Sequence, residues 1–441
     1  MQYPSPNSPA SARRKRRGPA VLLSIVLVIV LAAGGMFAAV SRWPILGAEG
    51  SDLLRSIFGD EFVARLEMGL FQVQDSVQQA RYSLGLEKPA APWQAASTAA
   101  PAVPNPASPS PALPATLEPA RPASPPDAGR SAATAAAAPA ASASPAPPGS
   151  PAASGAPTPA APIWPPAPAK PLGSLPGEGA WSAYIPDPSG RDVAERTFLQ
   201  PDPQRPYAVV GVVAFDLVRT RLHFVLGIDE PYSPDGPKRS GKIASADLVP
   251  GMLLVTFNGG FKATHGEFGA MADGITALPP RPGLGTLAIG PDGRVQIGDW
   301  GSEIDPAAPY VAWRQNGPLV VHNGQIDPQI YSNSPKDWGY TVSDVSPTWR
   351  SAIGLSADGQ VLYYFAGSKL TMQALAQSML TAGVANGIQL DINNYWVHFV
   401  ALRVQTGKMV PEPLFPEAMT ENLDRYLYPY TRDYFYVTAL K

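Results

Sequence analysis

The chain has 441 residues, 53 of them proline and none cysteine; 15% are charged, with 33 Lys+Arg against 35 Asp+Glu for a formal net charge of −2. The lack of cysteine excludes a disulfide scaffold, a thiolate metal site and a cysteine nucleophile. The near-neutral balance argues against nucleic acid as a partner, because duplex binding wants a basic face.

Residues 1–19 read as a basic cytoplasmic tail ending in the cluster Arg13-Arg14-Lys15-Arg16-Arg17. Ala20 to Val40 follows, 21 residues without a charge. At about 1.5 Å per helical residue this run matches the roughly 30 Å of a bilayer core. A cleavable signal peptide would have a shorter apolar run ending in a small-x-small site. Phe37 occupies the −3 position of the best such site, Ala39, so the reading is a retained single-pass anchor. Flanking cations stay cytoplasmic, which puts the C-terminal bulk in the periplasm or outside the cell.

Residues 51–84 predict an amphipathic helix after the membrane. Leu53, Leu54, Ile57, Phe58, Phe62, Val63, Leu66 and Leu70 recur at helical spacing, and Gly85 ends the run. That stripe needs a partner: the bilayer surface, the folded domain, or a second copy through self-association. From 89 to 171, 24 of 83 residues are Pro and 30 are Ala, which predicts a disordered, extended linker.

A folded domain is expected over 176–441, of α+β class: a twisted, hairpin-rich mixed sheet with one or two packed helices. Strands are predicted at Tyr207 to Phe215, Leu222 to Leu226 and Met252 to Phe257. Hairpins follow around Pro291-Asp292-Gly293, Asn323-Gly324 and Ala357-Asp358-Gly359. Thr371 to Ala382 is the clear helix, with Met372, Leu375, Ala376, Met379 and Leu380 on one face and Gly383 at its left-handed end. Gly387 to Ile392 is then a strand beneath it.

Two segments carry candidate chemistry. One is Asn258 to Gly274, a glycine-rich loop leaving a buried strand, with Lys262, His265, Glu267 and Asp273 as polar side chains. Such a loop lets backbone amides approach a ligand, or serves only as a tight connector. The other is Leu390-Asp391-Ile392-Asn393-Asn394-Tyr395-Trp396, where Asp391 ends an apolar strand as a ligand group or as a turn cap. Arg350 begins a strand and suits an anion or a carboxylate partner. The four histidines form no H-E-x-x-H pair, and neither a Walker loop nor a G-x-S-x-G elbow occurs.

From about Tyr207 to Val400 the order of these pieces resembles the phosphodiester glycosidase family. The matching stretches are Asn258-Gly259-Gly260-Phe261, Met271-Ala272-Asp273-Gly274, the hairpin Leu284 to Ile297, Arg314-Gln315-Asn316-Gly317, Arg350-Ser351-Ala352-Ile353-Gly354 and Gln389-Leu390-Asp391. The resemblance implies cleavage between an anomeric carbon and a phosphate oxygen. It assigns Asp391 to the oxocarbenium-like charge, Arg350 to the phosphate as a guanidinium fork, and His265 to proton transfer. Asn258, Gly259, Gly260, Asp273, Asn394 and Trp396 would bind substrate. No cofactor is implied, and a divalent cation stays an open question. The partner implied is a glycan or glycosyl phosphodiester of the cell envelope.

The family places a Gly-Gly-Gly-Ser-like run after the aspartate, where this chain has Ile392-Asn393-Asn394-Tyr395-Trp396. The substrate therefore differs, with Tyr395 and Trp396 stacking on a sugar, or catalysis has been lost and the domain is a glycan-binding or envelope-organising module. The enzymatic reading expects Asp391, Arg350, Asn258 and His265 to converge on one hollow. Aromatic rings filling that hollow would bar a substrate.

Overall fold

The computed structural model describes residues 57, 59–93, 164–234, 236–331, 335–338 and 345–440. The basic tail, the apolar run 20–40 and most of the Pro/Ala-rich spacer lie outside them. Among the described residues no helix is long and apolar enough to cross a membrane.

The mixed sheet expected from the sequence is instead three sheets, with every pair of strands antiparallel. The largest has eight strands in the order Ser182–Pro186, Asp192–Leu199, Val210–Asp216, Val361–Leu370, Thr348–Leu355, Asn386–Ile392, Leu319–His322, Gln325–Ile326. A second runs Ile275–Leu278, Ala270–Ala272, Ala312–Gln315, Gly285–Ile289, Val295–Asp299. The third runs Lys408–Pro413, Phe399–Gln405, Leu253–Asn258, Tyr434–Ala439, Thr220–Val225. Short turns set these registers: Asn323-Gly324 and Asp273-Gly274 each have φ positive at both central residues, the geometry that suits a twisted two-residue hairpin.

The eight-stranded sheet is buried on both faces. Val213, Phe215, Ile353, Tyr364 and Leu390 join a core shared with Phe257, Phe399 and Phe435 of the third sheet. On the other face Val212, Ala352 and Phe365 pack with Leu375, Ala376 and Met379 of the helix Met372–Thr381. Burying side chains of this size stabilises by about 1.5–3 kcal/mol each. The helix starts where the Thr371 hydroxyl accepts the Ala374 amide at 3.1 Å, and it ends before Gly383 at φ 98°. Thr371→Ala is expected to cost about 1 kcal/mol through the lost cap, read as a small drop in thermal midpoint with unchanged folded-state spectra.

The helix Asp60–Ser83 docks through polar groups more than through its apolar stripe. Asp75 takes a bidentate pair from Arg205, with Nη2–Oδ2 at 2.8 Å, and accepts the Tyr207 hydroxyl at 2.8 Å. Val63 is buried, whereas Phe62, Val73 and Val77 stay exposed. Ends of the Pro/Ala-rich segment also pack: Ala91 and Ala169 are buried, and Trp93 and Trp164 lie against the core. Their side chains supply apolar surface that the Ala-Pro repeats lack.

Candidate functional site

Three chain segments meet at the end of the strand Asn386–Ile392. They are the loop after Asn258, the turn 391–398, and Arg432-Asp433 at the entry to the last strand. The strand Leu253–Asn258 pairs with both Phe399–Gln405 and Tyr434–Ala439, so the three segments leave adjacent strands.

Asp391 is 5% exposed. Its Oδ2 accepts Arg432 Nη2 at 2.5 Å, and its Oδ1 accepts the Ile392 amide at 2.8 Å. Burial pushes its carboxyl up to about 6, against the opposing pull of Arg432, the Ile392 amide and the more distant Lys262 charge. Arg432 also donates to the Gly260 carbonyl at 2.9 Å. Burial alone would depress that guanidinium, but Asp391, Asp433 and Glu230 together raise it. The indole of Trp396 covers Arg432. Arg432 Cζ lies 4.4 Å and Lys262 Nζ 5.6 Å from the ring centroid, both cation–π distances.

Arg350 is not part of this cluster. It is fully buried, donating to the Leu370 carbonyl at 2.8 Å, to Gln389 Oε1 at 3.0 Å, to the Ser346 carbonyl at 3.1 Å and to Met372 Sδ. Those partners belong to the helix-covered face of the sheet. Plain strand alternation would put Gln389 and Asp391 on that same face. A register shift intervenes: Ala352 pairs with Gln389 but Arg350 with Ile392, so Leu390 and Asp391 together oppose Ser351. The extra residue re-aims the Asp391 side chain toward the third sheet, a known consequence of a β-bulge. Arg432, which the sequence reading did not single out, takes the position facing the acid.

Asn258 sits beside the acid but has no group left for a ligand. Its amide donates to Ser351 Oγ at 3.0 Å and to the Gly259 carbonyl; its oxygen accepts the Tyr364 hydroxyl at 2.9 Å and the His398 amide at 3.1 Å. Ser351 Oγ in turn donates to the Asp391 carbonyl at 2.8 Å, so Asn258 fixes the strand end that carries the acid. Gly259 and Gly260 likewise approach an internal group. A Cβ at Gly259 would sit 2.3 Å from Asp433 Oδ2, and one at Gly260 2.7 Å from Asn316 Oδ1. Asp433 accepts the Gly260 amide and Arg314 Nε; Asn316 accepts the Phe261 amide and donates to the carbonyls of Gln389 and Leu390. The Arg314-Gln315-Asn316 segment is thus a buried clamp between the glycine loop and the strand bearing Asp391.

His265 stands partly exposed at the end of the short 3-10 turn Ala263–His265, three residues beyond Lys262. Asp273 is far from the acid in its role: it holds the exposed hairpin turn, and its charge acts on His223. Asn394 is exposed at the mouth of a neighbouring cleft. Among the described residues no group of three or more His, Cys, Asp or Glu side chains could hold a metal ion.

Residues 253–391 match the profile of the phosphodiester glycosidase family. Among solved structures, the catalytic domain of zebrafish N-acetylglucosamine-1-phosphodiester alpha-N-acetylglucosaminidase, auto-inhibited by its pro-peptide, is 16% identical with a TM-score of 0.36, over 59% of this chain and 88% of that one. A hypothetical protein from Synechocystis is 10% identical with a TM-score of 0.32, over 53% and 59%. A protein from Burkholderia pseudomallei is 12% identical with a TM-score of 0.26, over 53% and 74%. No curated protein matches the chain.

Proposed function

We propose, on the premise that residues 253–391 carry a phosphodiester glycosidase domain, that this chain hydrolyses a glycosyl phosphodiester at Asp391. The observation that carries the reading is a carboxyl poised near 6 in direct contact with a buried guanidinium. The Asp391 carboxylate faces the positive charge that develops at the anomeric carbon as the bond to phosphate oxygen breaks; a water oxygen then bonds to that carbon, its proton passing to solvent, and the phosphate leaves as the monoester anion. Arg432 and Lys262 receive the phosphate charge that grows on the leaving group. Phosphate is a good leaving group, so no strong acid is needed opposite Asp391. Trp396 offers the sugar a stacking face once it swings from Arg432.

Envelope glycans fit as the substrate source if 20–40 anchors the chain with its C-terminal domain outside the cytoplasm. Proteolysis of intact spheroplasts would then remove the domain and protect the N-terminus; a mature soluble protein beginning near Val40 would rule out the anchor.

The test of activity is sugar release from a panel of glycosyl phosphodiesters by the whole protein, followed across pH. A catalytic carboxylate works ionised, so the rate should rise with pH and level off above about 6, and Asp391→Asn should abolish it. A rate that falls through this range would mean that Asp391 acts protonated or not at all. A second reading, glycan binding without turnover, is favoured by one observation: Asp391 and Arg432 are each only 5% exposed, with the Trp396 indole over Arg432. Saturable binding with no turnover in either the native protein or Trp396→Ala would establish that reading.

A further inference from the structure

A cleft of about 470 Å³ opens beside the turn that follows Asp391, and neither Asp391 nor Arg432 lines it. Tyr395 lines this cleft while Trp396 covers Arg432, and the two rings meet edge to face at 4.7 Å. The dipeptide is therefore a wall between two different environments.

His398 forms part of the cleft lining and is 1% exposed, yet neither ring nitrogen has a hydrogen-bond partner. A buried imidazole left unpaired is destabilising, so such a group calls for an explanation. The ring is held in place by its own backbone, whose amide binds Asn258 Oδ1, and by an edge-on contact with Tyr426 at 5.7 Å. Burial and the nearby Arg425 keep it well below its ordinary range, hence neutral at pH 7; the Glu421 carbonyl pulls the other way without closing a hydrogen bond. A neutral imidazole can both donate and accept.

The rest of the lining selects against anions. Arg425 spends its donors on the carbonyls of Asn422, Tyr395 and Glu421. The remaining charges, Glu417 and Glu421, are acidic. Trp349 contributes aromatic surface, and Asn394 and Thr420 contribute an amide and a hydroxyl; the Tyr395 ring is buried with Arg425 Cζ 4.6 Å from its centroid. An apolar ring face, hydrogen-bond acceptors and a cation already spent on internal partners suit a polyhydroxylated, uncharged ring.

We propose that this cleft binds an uncharged sugar ring and that His398 exchanges a hydrogen bond with one of its hydroxyls. The site requires binding alone and stands apart from the bond cleavage assigned to Asp391. The experiment titrates the whole protein with glucose, N-acetylglucosamine and their short oligomers, reading tryptophan fluorescence and the His398 imidazole resonances. Saturable binding is expected, with movement of the His398 signals, no competition from inorganic phosphate, and undiminished affinity in Asp391→Asn. Trp349→Ala and Glu421→Ala should each weaken it about tenfold, the effect of losing one stacking face or one hydrogen-bond acceptor. The proposal is overturned if no saccharide moves the His398 signals, if phosphate competes, or if both variants bind as the native protein does. Loss of turnover with intact binding would instead count only against the Asp391 reading.

Discussion

Arg432→Lys is expected to lower kcat/KM toward a glycosyl phosphodiester by roughly 10²–10³-fold, the usual effect of removing one preorganised electrostatic group. The guanidinium reaches Asp391 Oδ2 and the Gly260 carbonyl from a single nitrogen while its plane lies under the Trp396 indole. A lysine ammonium is a point charge without that planar fork, so it cannot keep the stack and both bonds together. The charge survives, and with it most of the compensation that Asp391 needs. The variant should therefore stay folded, which separates loss of function from loss of structure. Arg350→Lys is the matched control with the opposite outcome. Its partners are the Leu370 and Ser346 carbonyls, Gln389 and Met372, on the helix-covered face. Losing that geometry should cost about 2–4 kcal/mol, lowering the thermal midpoint by roughly 5–15 °C, with kcat/KM per folded molecule retained. If Arg350→Lys removes activity while Arg432→Lys leaves it intact, the guanidinium has been assigned to the wrong strand.

The contrast between these arginines also marks where the sequence is legible. Local signals carry well. The helix Met372–Thr381 follows from apolar spacing, a threonine cap and a terminal glycine; the Asn323-Gly324 turn follows from its dipeptide. Asp391 at a strand end was visible because an apolar run stops there. Its orientation was not, because one extra residue in a strand reverses the face of a side chain and no residue type in Gln389-Leu390-Asp391 announces the bulge. Arg432 and Asp433 were missed for another reason. They match no motif and lie about forty residues beyond Asp391 in the chain, so only tertiary pairing brings them back. One signal was available: two adjacent opposite charges inside an aromatic run from Tyr426 to Tyr436 are unlike a solvated face. The glycines of Asn258-Gly259-Gly260 were read for ligand access, whereas what approaches them is the protein's own Asp433 and Asn316.

That approach makes Arg314→Met the substitution with the largest expected effect on stability. Arg314 and Asp433 are respectively 0% and 2% exposed, with Nε–Oδ2 at 2.9 Å. The other guanidinium nitrogens donate to the carbonyls of Phe261 at 2.6 Å, Phe268 at 3.0 Å and Gln315 at 2.8 Å. One side chain thus satisfies both ends of the loop that bears Lys262. Methionine restores the volume but leaves the Asp433 carboxylate buried without its cation and strands those carbonyls. Breaking a buried pair on one side costs about 3–5 kcal/mol, which for a domain of this size is a fall of roughly 6–20 °C in thermal midpoint. Replacing both charges is gentler, because no ion is left to desolvate. Arg314→Met with Asp433→Leu should recover part of the loss, giving a favourable coupling in a double-mutant cycle. Recovery will be incomplete, since Gly260 loses the acceptor for its amide. The measurement is chemical denaturation of both single variants and the double. If Arg314→Met shifts the midpoint no more than an ordinary surface substitution, the pair does not hold the glycine loop against the strand that carries Asp391.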